Sequence, residues 1–180
     1  MRRIYESDAL HRDDDEPHAP RERTRHVRLQ AMRSVPATTL SRALLPRWLR
    51  HRCLTVDVRT RSDTYVAGEP IPFTVIMRNV APIPISVTTT SPLYWEWTID
   101  GLPEASQVPH CDPPAEPGRF EFDRGERKTF ERRWTQSVRT GSRSWEPVEP
   151  GRYRIGATIN VADPSAAGLQ DETTVEIVPE

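Results

Sequence analysis

A chain of 180 residues with a formal net charge of −1 is long enough for one domain and a tail, and too close to neutral for a nucleic-acid binder of the usual strongly basic kind. Eighteen prolines, about twice the usual share, argue against a helix-rich body, and no run approaches the roughly 18 apolar residues that a membrane span needs. Two cysteines, Cys53 and Cys111, are too few for a disulfide framework, so the expected compartment is a reducing cytoplasm.

The charge divides unevenly. Residues 1–50 hold eleven Arg against seven Asp or Glu, while the rest is net acidic. Met1-Arg2-Arg3-Ile4 leads directly to Glu6, Asp8 and His11, without the apolar core of an export signal. From Leu10 to Gln30 come Asp13-Asp14-Asp15-Glu16, two prolines, and then Arg21, Arg23, Arg25 and Arg28, with almost nothing apolar to offset the entropy of ordering. Residues 1–33 are therefore expected to be a flexible charged tail. The acidic run lacks the loop spacing and turn glycine of a calcium site.

Residues 34–52 read as a short basic amphipathic arm. Thr38 and Thr39 are N-cap candidates, Leu40, Leu44 and Trp48 follow at spacings of four, and Arg42, Arg47 and Arg50 point elsewhere. Pro46 should kink that helix or restart it. Such an arm either packs on the domain that follows or docks on a partner or an anionic surface.

From residue 53 the period changes to two. Leu54, Val56 and Val58 share one face, then Ile71, Phe73, Val75 and Met77 share another until Asn79. Pro70 and Pro72, like Pro82 and Pro84 before the run Ile83–Thr89, remove amides and place those strand starts at a sheet edge. Leu93, Trp95, Trp97 and Ile99 are expected to face inward, and Asp100-Gly101 suits a tight hairpin turn with positive φ at both positions. Leu102–Gly118 carries five prolines and is expected to be a long loop with at most a short edge strand. Its Pro109-His110-Cys111-Asp112, with His51 and Cys53, invites a metal hypothesis, but the spacing fits no zinc pattern.

Phe120 and Phe122 then share a face, and Gly125-Glu126 turns. Phe130 and Trp134 are spaced for a helix. Read as a strand, the run puts Arg132 between the two aromatics on one side, which needs a bulge or an arginine whose head reaches water. The strand reading is preferred. Pro150-Gly151 opens a strand with Tyr153, Ile155, Ala157, Ile159 and Val161 inward. Thr173–Val178, with Val175 and Ile177 inward, is the last.

These pieces resemble an immunoglobulin-like antiparallel β-sandwich of about seven to eight strands over residues 53–180, an all-β domain. Tyr153, two residues after Pro150-Gly151, resembles the tyrosine corner of such folds. The order Gly68-Glu69-Pro70-Ile71-Pro72-Phe73-Thr74-Val75, the aromatic strand ending at Asp100-Gly101, Gly125-Glu126 to Phe130 and Trp134, and Pro150-Gly151-Arg152-Tyr153-Arg154-Ile155-Gly156 resembles the BsuPI-type intracellular proteinase inhibitor domain. The whole chain is similar to uncharacterised proteins of salt-loving archaea.

The resemblance implies a non-enzymatic, intracellular protein-binding module, with a protease as one partner class. No nucleophile elbow, zinc-helix motif or phosphate loop suggests catalysis, a metal or a cofactor. The alternative is a structural or adaptor protein that docks through its arm. Arg42, Arg47, Trp48, Arg50, His110 and Asp112 are the candidate partner-binding residues. Nothing in the pattern specifies the oligomeric state.

Overall fold

The computed structural model describes residues 46–108 and 113–180, with Arg47 and Trp48 described as backbone alone. Pro46, in extended conformation (φ −61°, ψ 156°), is the N-cap of a six-residue helix α1, Arg47–Arg52. Pro46 opens this helix because its fixed φ suits a helix entry and its missing amide is unneeded there, while the part of the expected arm over residues 34–45 lies outside the described residues.

Two sheets form the sandwich. One has the order β1-β3-β8, with β1 Leu54–Thr60, β3 Ile71–Asn79 and β8 Arg127–Trp134. The other has the order β2-β12-β11-β5-β6, with β2 Thr64–Val66, β5 Trp95–Ile99, β6 Leu102–Pro103, β11 Gly151–Ile159 and β12 Gln170–Val178. All pairings within them are antiparallel except β2 with β12. Two ribbons complete the chain: β4 Ile85–Thr89 with β7 Gly118–Phe122, and β9 Ser137–Arg139 with β10 Trp145–Pro147. A one-turn helix α2, Pro164–Ala167, is capped by Asp163 Oδ1 accepting from the Ala166 amide at 3.0 Å.

The expected faces meet in one interior. Ile71, Phe73, Val75 and Met77 pack with Ile155, Ile159, Val175 and Ile177, all buried, and Trp95, Trp97, Phe130 and Tyr153 pack against them from the flanks. Phe73 lies 5.3 Å from Trp97 and Trp95 lies 4.7 Å from Phe130, centroid to centroid, so tilted aromatic pairs bridge the two sheets. The turn at Asp100-Gly101 has φ of 47° and 82°, the left-handed pair expected. Tyr153 Oη donates to the Glu149 carbonyl at 2.6 Å and forms the tyrosine corner.

The ambiguous run is a strand without a bulge. The register from Ile71↔Trp134 to Arg78↔Arg127 is unbroken, and the Arg132 guanidinium lies 5.2 Å over the Trp95 ring with its head at the surface.

Several expectations change. Strand β3 is central, not an edge. Pro72 is accommodated because β1 reaches only as far as Phe73, so the absent amide points past the end of that neighbour. Leu93 precedes the aromatic strand and is 46% exposed, and Trp95 and Trp97 are half-buried because β5 has a partner on its outer side only at its far end. Strand β4 begins at Ile85, after both prolines, and the last strand begins earlier, at Gln170.

Buried polar side chains stitch the connections. Asn79 Nδ2 donates to the carbonyls of Ile83 and Asp123 at 2.8 and 2.9 Å, while its Oδ1 accepts the Ala81 amide at 2.9 Å. Gln136 joins the end of β2 to the β8–β9 link, accepting from the Gly68 amide at 2.7 Å and donating to the Val66 carbonyl at 2.9 Å.

Candidate functional site

The first candidate is a cleft of about 310 Å³ along the outer side of β4. Helix α1 supplies Arg50 and His51, β4 supplies Ser86 to Thr89, and the end of the long loop supplies Pro117. The Arg50 guanidinium makes a long contact, 3.5 Å, with the Ser86 carbonyl. The last turn of α1 is basic throughout, with Arg50, His51 and Arg52, and among the described residues no acidic side chain lines the cleft. The Arg50 guanidinium and the hydroxyls of Ser86, Thr88, Thr89 and Thr90 give this wall a polar, hydrogen-bonding character.

Of the six residues singled out from the sequence, Arg50 lines this cleft. Arg47 and Trp48 are placed in α1 by their backbones. Arg42, His110 and Asp112 lie outside the described residues, as does the flexible tail expected over residues 1–33. The structure therefore brings the arm and the end of the loop together at β4, which neither segment's pattern indicated.

A second cleft, of about 350 Å³, went unnoticed in the sequence. Trp97, Trp145, Glu104 and Arg133 line it, with the buried Trp134 contributing to its wall. Trp134 Nε1 donates to the Ser137 carbonyl at 2.9 Å, so the indole presents a fully satisfied apolar ring. Trp145 is 53% exposed. The signal was weak because Trp145 stands in a three-residue strand, too short to show a period. Near this cleft the Glu96 carboxyl is pushed above the ordinary carboxylate value, first by burial and then by the charge of Glu104.

For the metal hypothesis, Cys53 is half-buried as a free thiol, while His110 and Cys111 lie outside the described residues. Among the described residues no three His, Cys, Asp or Glu side chains are grouped to hold an ion. No helix among them is long and apolar enough to cross a membrane.

Two packed sheets, a parallel pairing of an early strand with the last, and a tyrosine corner define an immunoglobulin-like antiparallel β-sandwich. The chain belongs to a family of unknown function, DUF7974, which matches residues 42–178. No curated protein sequence matches it. Among solved structures it is similar to the CARDB domain of the PF1109 protein from Pyrococcus furiosus, in complex with di-metal ions, at 18% identity over 71% of this chain and 94% of that one, with a TM-score of 0.45. It is also similar to a β-glucosidase from Listeria innocua, at 16% identity and a TM-score of 0.39, over 69% of this chain but only 16% of the enzyme.

Proposed function

We propose that this domain is a non-enzymatic, intracellular protein-binding module of the proteinase-inhibitor kind, and that it holds its partner at the cleft beside β4. The observation that carries this reading is the convergence of Arg50 and His51 from the arm with Pro117 from the loop on one cleft. Loops and arms on a rigid sandwich are the segments free to vary for recognition. Arg42, Arg47 and Trp48 on the arm, and His110 and Asp112 on the loop, flank this surface in sequence and complete the proposed contact set.

Titration of the full-length protein into purified intracellular serine proteases tests the inhibitor form. Peptide hydrolysis should slow at micromolar protein, and Arg50→Glu should relieve the slowing. Unchanged hydrolysis across the proteases removes the inhibitor form of the proposal.

The basic last turn of α1 also favours a second reading, an adaptor that docks through its arm alone. Replacing the loop residues 113–116 with a glycine-serine stretch separates the two. Lost partner capture supports a site shared by loop and arm, and retained capture supports the arm.

A further inference from the structure

The three-stranded sheet ends, on its β8 side, in an open strand edge. The phase of the ladder shows which groups face outward. The Asn79 amide donates to the Glu126 carbonyl at 2.9 Å. The register carries that bonded pair forward in steps of two as Met77↔Lys128, Val75↔Phe130, Phe73↔Arg132 and Ile71↔Trp134. Opposed residues in an antiparallel ladder alternate between bonded and non-bonded pairs. Arg127, Thr129, Glu131 and Arg133 therefore direct their amides and carbonyls away from β3. Among the described residues no backbone bond reaches these four amides. One of the carbonyls, that of Glu131, accepts from the neighbouring Arg132 guanidinium at 3.0 Å. All four side chains are exposed.

Among the described residues, three other edges carry a cap or a partner. On the outer side of β1 the Val58 amide donates to Asp171 Oδ2 at 2.8 Å. On β4 the Ser86 carbonyl lies under Arg50. Beyond β6, the Arg139 amide donates to the Ala105 carbonyl at 2.8 Å, which extends that sheet into the β9–β10 ribbon. Covering or capping is how sheets avoid unwanted pairing, and among the described residues the outward groups of β8 carry only the Arg132 contact on the Glu131 carbonyl, with all four outward amides left open.

This edge runs into the tryptophan cleft, because Arg133 belongs to both. An unpaired edge supplies main-chain bonds to an added strand, and a neighbouring pocket selects one of its side chains. The charge selects the occupant. Arg127, Lys128, Arg132 and Arg133 lie on or beside the edge against Glu126 and Glu131. A second copy laid β8 to β8 would set these cations against their own kind, which is destabilising across a strand pair.

We propose that the β8 edge accepts an extended acidic segment of a partner protein as an additional strand, with one aromatic or aliphatic side chain of that segment seated between Trp97 and Trp145. This site shares no residue with the cleft beside β4, and it stands or falls independently of the function proposed for that cleft.

The probe is a synthetic peptide as long as β8, alternating glutamate with threonine or valine and carrying one tryptophan near an end, titrated into the full-length protein at low salt. Amide exchange should slow at Arg127, Thr129, Glu131 and Arg133 and stay unchanged in α1 and β4. Thr129→Pro removes one outward amide without touching the β3 ladder and should weaken binding about tenfold, the equivalent of one main-chain hydrogen bond. Trp145→Ala should weaken the tryptophan peptide and leave its alanine analogue unaffected. Should Thr129→Pro not fold, a peptide N-methylated on alternate amides tests the same bonds on the unaltered protein and should fail to bind. Lysine in place of the peptide's glutamates should abolish binding. No protection of the four amides, protection confined to α1 and β4, or full affinity for a folded Thr129→Pro overturns the proposal. Self-association that Thr129→Pro abolishes assigns the edge to a second copy and overturns it equally.

Discussion

Replacing Asn79 with alanine removes three hydrogen bonds from a side chain that is completely buried at the end of β3. The three partners respond differently. The Asp123 carbonyl belongs to an exposed residue and can be rehydrated, so its loss is worth about 0.5–1 kcal/mol. The Ile83 carbonyl is on a half-buried residue and loses about 1 kcal/mol. The Ala81 amide is buried and becomes an orphan donor, at a cost of about 1–3 kcal/mol. Together the substitution should destabilise the domain by about 3–4 kcal/mol, a large share of the roughly 5–15 kcal/mol typical of a folded domain. Urea unfolding followed by tryptophan fluorescence should show an earlier midpoint with an unchanged slope. The melting temperature should fall by about 10 °C. A loss below about 1 kcal/mol would refute the argument, because the β3–β4 link and the β7–β8 turn would then be held by something other than this amide. Asn79→Asp serves as the diagnostic companion. It keeps the acceptor for Ala81, loses both donations, and buries a charge, so it should be no milder than alanine.

Tyr153→Phe deletes the bond to the Glu149 carbonyl and keeps the ring that packs 5.2 Å from Trp134. It should lose about 0.5–1.5 kcal/mol in chemical denaturation. Glu96 has its folded pKa raised by burial and by Glu104, so folding favours its protonated form. That contribution is present below the unfolded value of 4.5 and is lost as pH rises through the higher folded value. Glu96→Gln should therefore be more stable than the parent at pH 7, with the difference shrinking in melts taken toward pH 4. A Cβ on Gly118 would lie 2.5 Å from Thr89 Oγ1 and 2.6 Å from the Ser91 carbonyl. Gly118→Ala should accordingly lose about 1–3 kcal/mol, measured by thermal unfolding, and it should loosen the β4–β7 ribbon first.

The strands of the interior were legible because burial on one face leaves a period of two. Ile71 to Met77 and Tyr153 to Val161 show it without interruption, and both sets point inward. Phe130 and Trp134 left helix and strand open, and the decisive feature was Arg132, whose guanidinium rests on Trp95 and so lets a charge occupy the aromatic side of a strand. Pattern reading overreached at Leu93, since alternation continues beyond the point where the backbone has a partner. It missed β2, β9 and β10, each three residues long, because their existence depends on the neighbours they pair with. The two clefts were hidden for the same reason. Arg50 and Pro117 are far apart in sequence, and whether β8 is covered is decided by sheet order rather than by its own residues.

Thr64–Val66 lies alongside Glu176–Val178, and Val58 takes its capping carboxylate from Asp171. During synthesis on the ribosome, these early segments emerge long before the strand that completes them. Until that strand is translated, the half-built interior waits with its apolar face uncovered, a window in which chaperone capture competes with closure. Folding governed by so distant a pairing is expected to be slow, its closing step set by the arrival of Gln170–Val178.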